Sequence, residues 1–163
     1  MRILFLCGLL LSLFCDFGCG HKRPEGMPKS YPVSITITVD GSPLADAQLI
    51  AYPDSVELGN WFGSGITNAS GTAQMKTRDI KGLIESPMIL TIDKRKIVEY
   101  FPLDETGLSN IYEFYVDTEY WGKETSSLKF NVEANGEKNF IFDVKKFDTQ
   151  KYDQKKFLMK LKK

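Results

Sequence analysis

The chain has 163 residues, 42% of them hydrophobic, and its 21 basic side chains balance its 21 acidic ones. Zero net charge gives no positive field to attract phosphates, so we do not expect a nucleic acid partner. The length suffices for one domain with its own core. All three cysteines lie within the first 19 residues, so the rest of the chain must be stabilised by packing rather than by a disulfide.

The N-terminus has the order of an export signal. Met1 and Arg2 form a short cationic start, and residues 3–14 (ILFLCGLLLSLF) are almost entirely apolar. This run is shorter than the roughly 20 residues that span a bilayer, which favours a signal sequence over a transmembrane helix. We therefore expect residues 1–18 to be a signal peptide.

Cys19 follows the apolar run and has a glycine on each side. A small residue before a cysteine at this place is typical of bacterial lipoproteins, whose signal is removed before a cysteine that carries acyl chains. Asp16 departs from that pattern, which prefers leucine three residues before the cysteine. We predict a lipid on Cys19 that anchors the protein in the bacterial cell envelope, facing the periplasm or the exterior. The alternative is an ordinary secretory signal and a secreted protein.

The region after the signal predicts a tether and then a strand. Residues 19–32 are polar and rich in proline, as in extended linkers. Residues 33–39 (VSITITV) alternate apolar and hydroxyl side chains, the pattern of a half-buried strand. Asp40 and Gly41 form a tight-turn signal, so residues 47–52 (AQLIAY) are expected to be the partner strand.

Further short strands follow at intervals of about ten residues. Asn135 and Gly136 form a second tight-turn signal, which predicts a hairpin between residues 128–132 and 140–144. Seven or eight such strands, with almost no helical periodicity, predict an all-β fold, an antiparallel β-sandwich in residues 33–146. The other expected strands are residues 61–67, a returning strand at 72–76, 88–93 with a continuation to 100, and 111–116.

Residues 147–163 are a lysine-rich C-terminal extension. Phe157, Leu158 and Leu161 share one face of a candidate short helix at residues 150–161. We expect a solvated tail, and the alternative is contact with anionic lipid headgroups or an acidic polymer.

Several segments, in this order, resemble the carboxypeptidase-regulatory-like (transthyretin-like, or prealbumin-like) domain of small exported lipoproteins of the planctomycete type. The resemblance implies a Greek-key β-sandwich, an envelope location and a structural or interaction role without enzymatic activity. Two features depart from the family: Pro87 lacks a following glycine, and the lysine-rich extension has no counterpart. The matching segments are Cys19-Gly20, Arg23-Pro24-Glu25, residues 33–47 (VSITITVDGSPLADA), Tyr52-Pro53, residues 67–71 (TNASG), 87–92 (PMILTI), 125–132 (TSSLKFNV) and 140–144 (FIFDV).

The sequence offers no evident catalytic site. His21 is the only histidine and lies in the expected tether, where a general base would not be held in place. No cysteine remains as a nucleophile, and the soft zinc ligands are missing, so we predict no enzyme, no metal site and no cofactor. The carboxylates at residues 104–105 and at Asp117 and Glu119 are expected to be solvated loop charges. The alternatives for them are a glycoside-hydrolysing pair or a weak Ca²⁺ site.

Aromatic residues are concentrated in residues 100–121. We hypothesise that some of Tyr112, Tyr115, Tyr120 and Trp121 form an exposed binding patch, because exposed aromatic rings stack on sugars or anchor partner proteins. The alternative is that all four pack the core, in which case the patch does not exist.

The expected function is that of a non-catalytic envelope lipoprotein whose β-sandwich is a structural or protein-interaction module. Its expected partners are the membrane, through the N-terminal lipid, and an envelope protein or polysaccharide. The alternative function is a carbohydrate-binding accessory module that uses surface tyrosine and tryptophan.

Overall fold

A computed structural model of the chain describes residues 23–100 and 110–148. The predicted signal peptide, Cys19, His21, the carboxylates at 104–105 and the candidate helix at 150–161 lie outside the described residues. The described part is all-β, as predicted, with two short 3₁₀ turns and no α-helix. No helix within these two ranges is long and apolar enough to cross a membrane.

Many of the strands are shorter than the sequence indicated, and the predicted count of seven or eight is not confirmed. The 3₁₀ turns are Gly59–Trp61 and Thr118–Tyr120. The strands are β1 Ser30–Tyr31, β2 Ser34–Val39, β3 Ser42–Pro43, β4 Gln48–Pro53, β5 Gly63–Ile66, β6 Thr72–Gln74, β7 Lys76–Thr77, β8 Ile80–Lys81, β9 Leu83–Ile84, β10 Ser86–Asp93, β11 Arg95–Tyr100, β12 Asn110–Phe114, β13 Lys129–Val132 and β14 Asn139–Val144.

Two larger sheets enclose a shared core, as in a β-sandwich. One has the order β13-β10-β4-β5-β7-β8, and its neighbours are antiparallel. The other has β2 at its centre, paired antiparallel with β3 and β6 and parallel with β14. The pairs β1-β9 and β11-β12 form two small sheets of their own.

The alternation predicted for the first long strand is confirmed. Ile35 and Ile37 are completely buried, whereas Thr36 and Thr38 are only partly so. Burying one face of a strand removes apolar area from water at about 25 cal/mol per Å², which fixes which face turns inward. Strand β10 is more fully buried, because it lies between β4 and β13 and its Leu90 and Ile92 face the core.

Three predicted strand pairings are wrong for one shared reason. Strands β5 and β6, and β13 and β14, follow one another in the chain but lie in opposite sheets, and so do β2 and β4, which are separated only by the two-residue β3. Strand β4 instead pairs with β5 and β10, β6 pairs with β2, and β13 pairs with β10. The Asn135–Gly136 turn exists, but it belongs to a connection that crosses from one sheet to the other. Crossing lets Phe130 pack on Phe140 at 4.6 Å between ring centroids, with both rings against the core.

The predicted continuation of residues 88–93 to residue 100 is interrupted at Lys94. Strand β10 ends at Asp93 within the six-stranded sheet, and β11 begins at Arg95 and pairs only with β12 among the described strands. Strands β11 and β12 therefore form an antiparallel pair, the β11–β12 hairpin, that belongs to neither large sheet and has a register shift between Ile97 and Glu99.

The packed domain extends beyond the limits expected from the sequence. Met27 is buried, and Tyr31 pairs with Leu83, so part of the segment expected to be a tether packs on the sandwich. At the other end, Phe147 is buried, one residue after the expected end of the domain.

Candidate functional site

The β11–β12 hairpin is joined to the sandwich at its base. Tyr115 donates its backbone N–H to the Lys94 carbonyl, which extends the hairpin ladder. The next residues pair with the chain that follows β14: Asp117 donates to the Lys145 carbonyl and Phe147 donates to the Tyr115 carbonyl. These bonds hold the base of the hairpin against the C-terminal end of β14.

One face of the hairpin carries a row of apolar and aromatic side chains. Register pairs Arg95 with Phe114 and Ile97 with Tyr112, and alternate residues of a strand share a face. The Phe114 ring lies 6.1 Å from Tyr112, between ring centroids. We call this surface the aromatic face, comprising Ile97, Tyr112, Phe114, Trp121 and Phe147.

Trp121 and Phe147 extend this row across the base of the hairpin. The ring centroid of Phe114 lies 4.5 Å from that of Trp121 and 5.1 Å from that of Phe147. The ring planes of Trp121 and Phe147 are nearly parallel, with an interplanar angle of 9° and 6.3 Å between ring centroids. Aromatic contacts of this kind stabilise by about 1 kcal/mol each beyond area burial, so the row is held in one arrangement.

The structure brings only two of the four predicted patch residues onto this surface. Tyr112 and Trp121 are half-buried and both contact Phe114. Tyr115 lies an odd number of positions from Tyr112, so its side chain leaves the strand on the opposite face. Tyr120 is buried in the core at 4% exposure. Tyr112 and Trp121 therefore lie together on the aromatic face, whereas Tyr115 and Tyr120 lie apart from it.

Tyr115 and Tyr120 have structural partners of their own. Tyr115 donates to Glu113 Oε2 at 3.0 Å, and this bond, followed by desolvation, raises the pKa of Tyr115. Burial, followed by a hydrogen bond with Glu119, raises the pKa of Tyr120, whose hydroxyl accepts from the Lys145 N–H at 3.4 Å. Both phenols are therefore neutral across the physiological pH range.

Cationic side chains flank the tyrosines. The Arg95 guanidinium lies 5.4 Å from the centre of the Tyr112 ring and pairs with Asp93 at 2.9 Å. The Lys94 ammonium lies 5.0 Å from the centre of the Tyr115 ring and donates to the Ala45 carbonyl. A cation over a ring is worth about 0.5–1 kcal/mol at exposed sites, so these contacts orient Arg95 and Lys94 without occupying all their donors.

A shallow groove of about 400 Å³ adjoins the base of the hairpin on the side of Arg95. It is open to solvent and mostly polar or charged, with exposed Ile66 as its apolar member. Its lining residues are Asp46, Gln48, Ile66, Asp93, Lys94 and Arg95.

Sequence reasoning missed Ile97, Phe114, Phe147 and Arg95 as members of this site. If residues 111–116 form a strand, alternate residues share a face, so the sequence does indicate that Phe114 lies beside Tyr112. Nothing in the sequence indicates that Phe147 belongs to the site, because it lies in the lysine-rich stretch predicted to be the C-terminal extension. Ile97 was hidden by the expectation that residues 88–100 form one strand.

The arrangement offers contacts of the kind that binding requires. Within residues 23–100 and 110–148, no three histidine, cysteine or acidic residues stand close enough to hold a metal ion. The aromatic face can instead bury apolar area, and Arg95 can make charge-assisted hydrogen bonds at its border. Ring planes tilted by 35°, 39° and 47° form an uneven surface rather than a flat platform.

No protein-family model matches the chain, and neither the curated proteins nor the solved structures contain a significantly similar one.

Proposed function

We propose that this protein is a non-catalytic, envelope-anchored β-sandwich that binds a partner protein through the aromatic face. The observation that carries the proposal is Ile97, which is 53% exposed on the same hairpin face as Tyr112 and Phe114. The described residues leave this large apolar side chain in contact with water, and a partner packed on the aromatic face would shield it.

The composition of the aromatic face fits a protein partner better than a polysaccharide. Tryptophan, tyrosine and arginine are the residues most enriched where protein interfaces derive their binding energy. Sugars stack on flat, well-exposed rings, whereas Tyr112 and Trp121 are half-buried and the ring planes are tilted. Carbohydrate binding is therefore the competing outcome in the test below.

The anchoring part of the proposal rests on the sequence. The leader, Cys19 and the order of later motifs support a lipid-anchored member of the carboxypeptidase-regulatory-like group with Greek-key connections. Met27 packs on the sandwich, so the segment left as a tether, residues 20–26, reaches about 25 Å at most. A lipid on Cys19 would thus hold the domain close to the membrane surface.

Site-specific photo-crosslinking in intact cells tests the binding proposal. A photoreactive amino acid at position 97 is expected to form a covalent adduct with one protein, and the adduct should diminish in a Tyr112→Ala, Trp121→Ala background. The same amino acid at position 56 is the control, because Val56 is 93% exposed and lies in a loop outside the aromatic face. Equal adducts at both positions, or none at position 97, would contradict the proposal.

Two parallel measurements separate the alternatives. Retention of the wild-type chain, but not of the Tyr112→Ala, Trp121→Ala variant, on purified envelope polysaccharide would favour the carbohydrate-binding function. Metabolic labelling with a radioactive fatty acid should mark the wild-type chain and not Cys19→Ser. Equal labelling of the two would remove the lipid anchor from the proposal.

A further inference from the structure

A second surface, separate from the aromatic face, is the outer edge of β14. Strand β14 pairs with β2 on one side. On its other side, no strand of the described part of the chain pairs with residues 139–143. Unpaired strand edges present backbone donors and acceptors that readily accept another strand.

The parallel ladder with β2 determines which backbone groups point outward. Ser34 donates its N–H to the Lys138 carbonyl at 2.8 Å. In a parallel strand, alternate residues direct their backbone N–H and C=O groups to the same neighbour. The backbone groups of Phe140 and Phe142, like the Lys138 carbonyl, therefore point toward β2. Asn139, Ile141 and Asp143 therefore direct both their N–H and their C=O groups toward the open edge.

We propose that two copies of the chain associate through their β14 edges, antiparallel about a two-fold axis at Ile141, which joins the two β2-centred sheets into one. In this register Ile141 faces Ile141 of the second copy, and Asn139 faces Asp143. These are the residues whose backbone groups point outward, so each opposed pair can exchange two hydrogen bonds.

The side chains are self-complementary in that register. Ile141 is 74% exposed and would be shielded by its own symmetry mate. Asn139 accepts from Ser34 through Oδ1 at 2.5 Å, so its amide nitrogen is the group available to the carboxylate of Asp143 in the second copy. On the opposite face of the strand, half-buried Phe140 would meet half-buried Phe142, and the axis forms this contact twice.

The chain's own C-terminal continuation fits this edge less well than a second copy does. Beyond Val144 the edge is already occupied, since residues 115–117 pair with 145–147. This paired segment separates the open stretch from Asp148. It also limits the overlap to residues 139–143, or about six interchain hydrogen bonds, so the interface would be small, as in weak and transient complexes.

Disulfide trapping tests both the association and its register. The full chain is purified in mild detergent with Cys7, Cys15 and Cys19 replaced by serine, so that each introduced cysteine is the only thiol. Opposed residues of a hydrogen-bonded antiparallel pair have Cα atoms about 5.5 Å apart, within disulfide range. Ile141→Cys should therefore form an interchain disulfide at least tenfold faster than Val56→Cys, whose side chain is more exposed.

A mixing experiment fixes the register. Asn139→Cys alone should not crosslink, because the two copies of residue 139 would lie about 14 Å apart along the paired strands. An equal mixture of Asn139→Cys and Asp143→Cys chains should give the heterodimer, and adding Ile141→Lys to both should reduce it at least tenfold by opposing two charges. Circular dichroism establishes that every variant is folded.

Three results would overturn the proposal. They are crosslinking of Val56→Cys as fast as Ile141→Cys, crosslinking of Asn139→Cys alone as fast as the mixture, and no effect of Ile141→Lys on the mixture.

Discussion

Gly82 lies directly against the backbone of Tyr31. A Cβ atom on Gly82 would stand 2.0 Å from the Tyr31 carbonyl oxygen and 2.9 Å from the Pro32 nitrogen, and Gly82 itself has φ +98°. Tyr31 pairs with Leu83 in the β1–β9 sheet. The absence of a side chain at Gly82 is therefore what lets β1 close over the sandwich.

Gly82→Ala should destabilise the protein by about 3 kcal/mol, because the new methyl group meets backbone atoms and the residue is held at a φ that alanine rarely adopts. Urea denaturation measures the loss, and faster proteolysis within residues 23–32 should accompany it. Gly41→Ala is the control, since Gly41 has φ +76° but no atom within 4 Å of its Cβ position. It should cost about 1 kcal/mol. Similar costs for the two variants would contradict the close approach.

Thr67 joins two backbone segments through its hydroxyl group. It is 1% exposed, accepts from the Ala47 N–H at 2.8 Å and donates to the Leu44 carbonyl at 2.6 Å. Thr67→Val keeps the shape but leaves both backbone groups without this partner, so we expect a loss of about 3 kcal/mol in thermal or chemical unfolding.

Two further variants test that explanation. Thr67→Ser retains the hydroxyl and should recover most of the lost stability. Thr36→Val should cost less than 1 kcal/mol, because the Thr36 hydroxyl bonds another hydroxyl, that of Thr72, at a partly buried position. A loss in Thr67→Val no larger than in Thr36→Val would show that the buried hydrogen bonds do not matter.

The sequence predicted strands and turns better than it predicted their partners. The alternation in residues 33–39 identified Ile35 and Ile37 as core, and the Asp40–Gly41 turn has the expected positive φ values of 51° and 76°. A half-buried strand has the same alternation whichever sheet it joins, so the pattern could not show that β2 and β4 lie in opposite sheets. That choice depends on how both sheets close over one core.

The candidate site was only partly predictable from the sequence, for a similar reason. Composition located the aromatic stretch, and strand period explains why Tyr112 and Phe114 share a face. Composition could not separate half-buried Trp121 from buried Tyr120, because that difference arises at the turn Thr118–Tyr120, where period-two spacing ends. Phe147 joins the row only because the chain after β14 pairs with residues 115–117.

The carboxylate of Asp143 makes a contribution to stability that depends on pH. Its Oδ1 accepts from the Thr38 hydroxyl at 2.5 Å and from the Gly41 N–H at 3.0 Å, and these bonds lower the pKa of Asp143, with that from Thr38 the larger cause. A lowered pKa in the folded state stabilises the fold above the unfolded value of about 3.9. This stabilisation should disappear as the pH falls through the folded pKa.

Urea midpoints from pH 7 to pH 2.5 check this effect at concentrations low enough to keep the chain monomeric. Asp143→Asn should lower the midpoint at pH 7, and its difference from wild type should shrink below about pH 4. Carbon NMR titration should also show that Thr38→Val raises the pKa of Asp143 toward its ordinary value. A constant difference across this range would exclude the carboxylate as its source.

Phe147 should anchor the C-terminal end of the domain although it lies beyond the limit expected from sequence. It is 9% exposed and contacts Phe114 and Trp121. Phe147→Ala should therefore cost about 3 kcal/mol, and it should shift the fluorescence of Trp121 as water reaches the indole. Phe62→Ala is a matched control, because Phe62 is 46% exposed and contacts Tyr52 at the surface, so its loss should cost about 1 kcal/mol or less. If Phe147→Ala cost no more than Phe62→Ala, residues after β14 would not belong to the packed domain, and the aromatic face would lose the ring that supports its base.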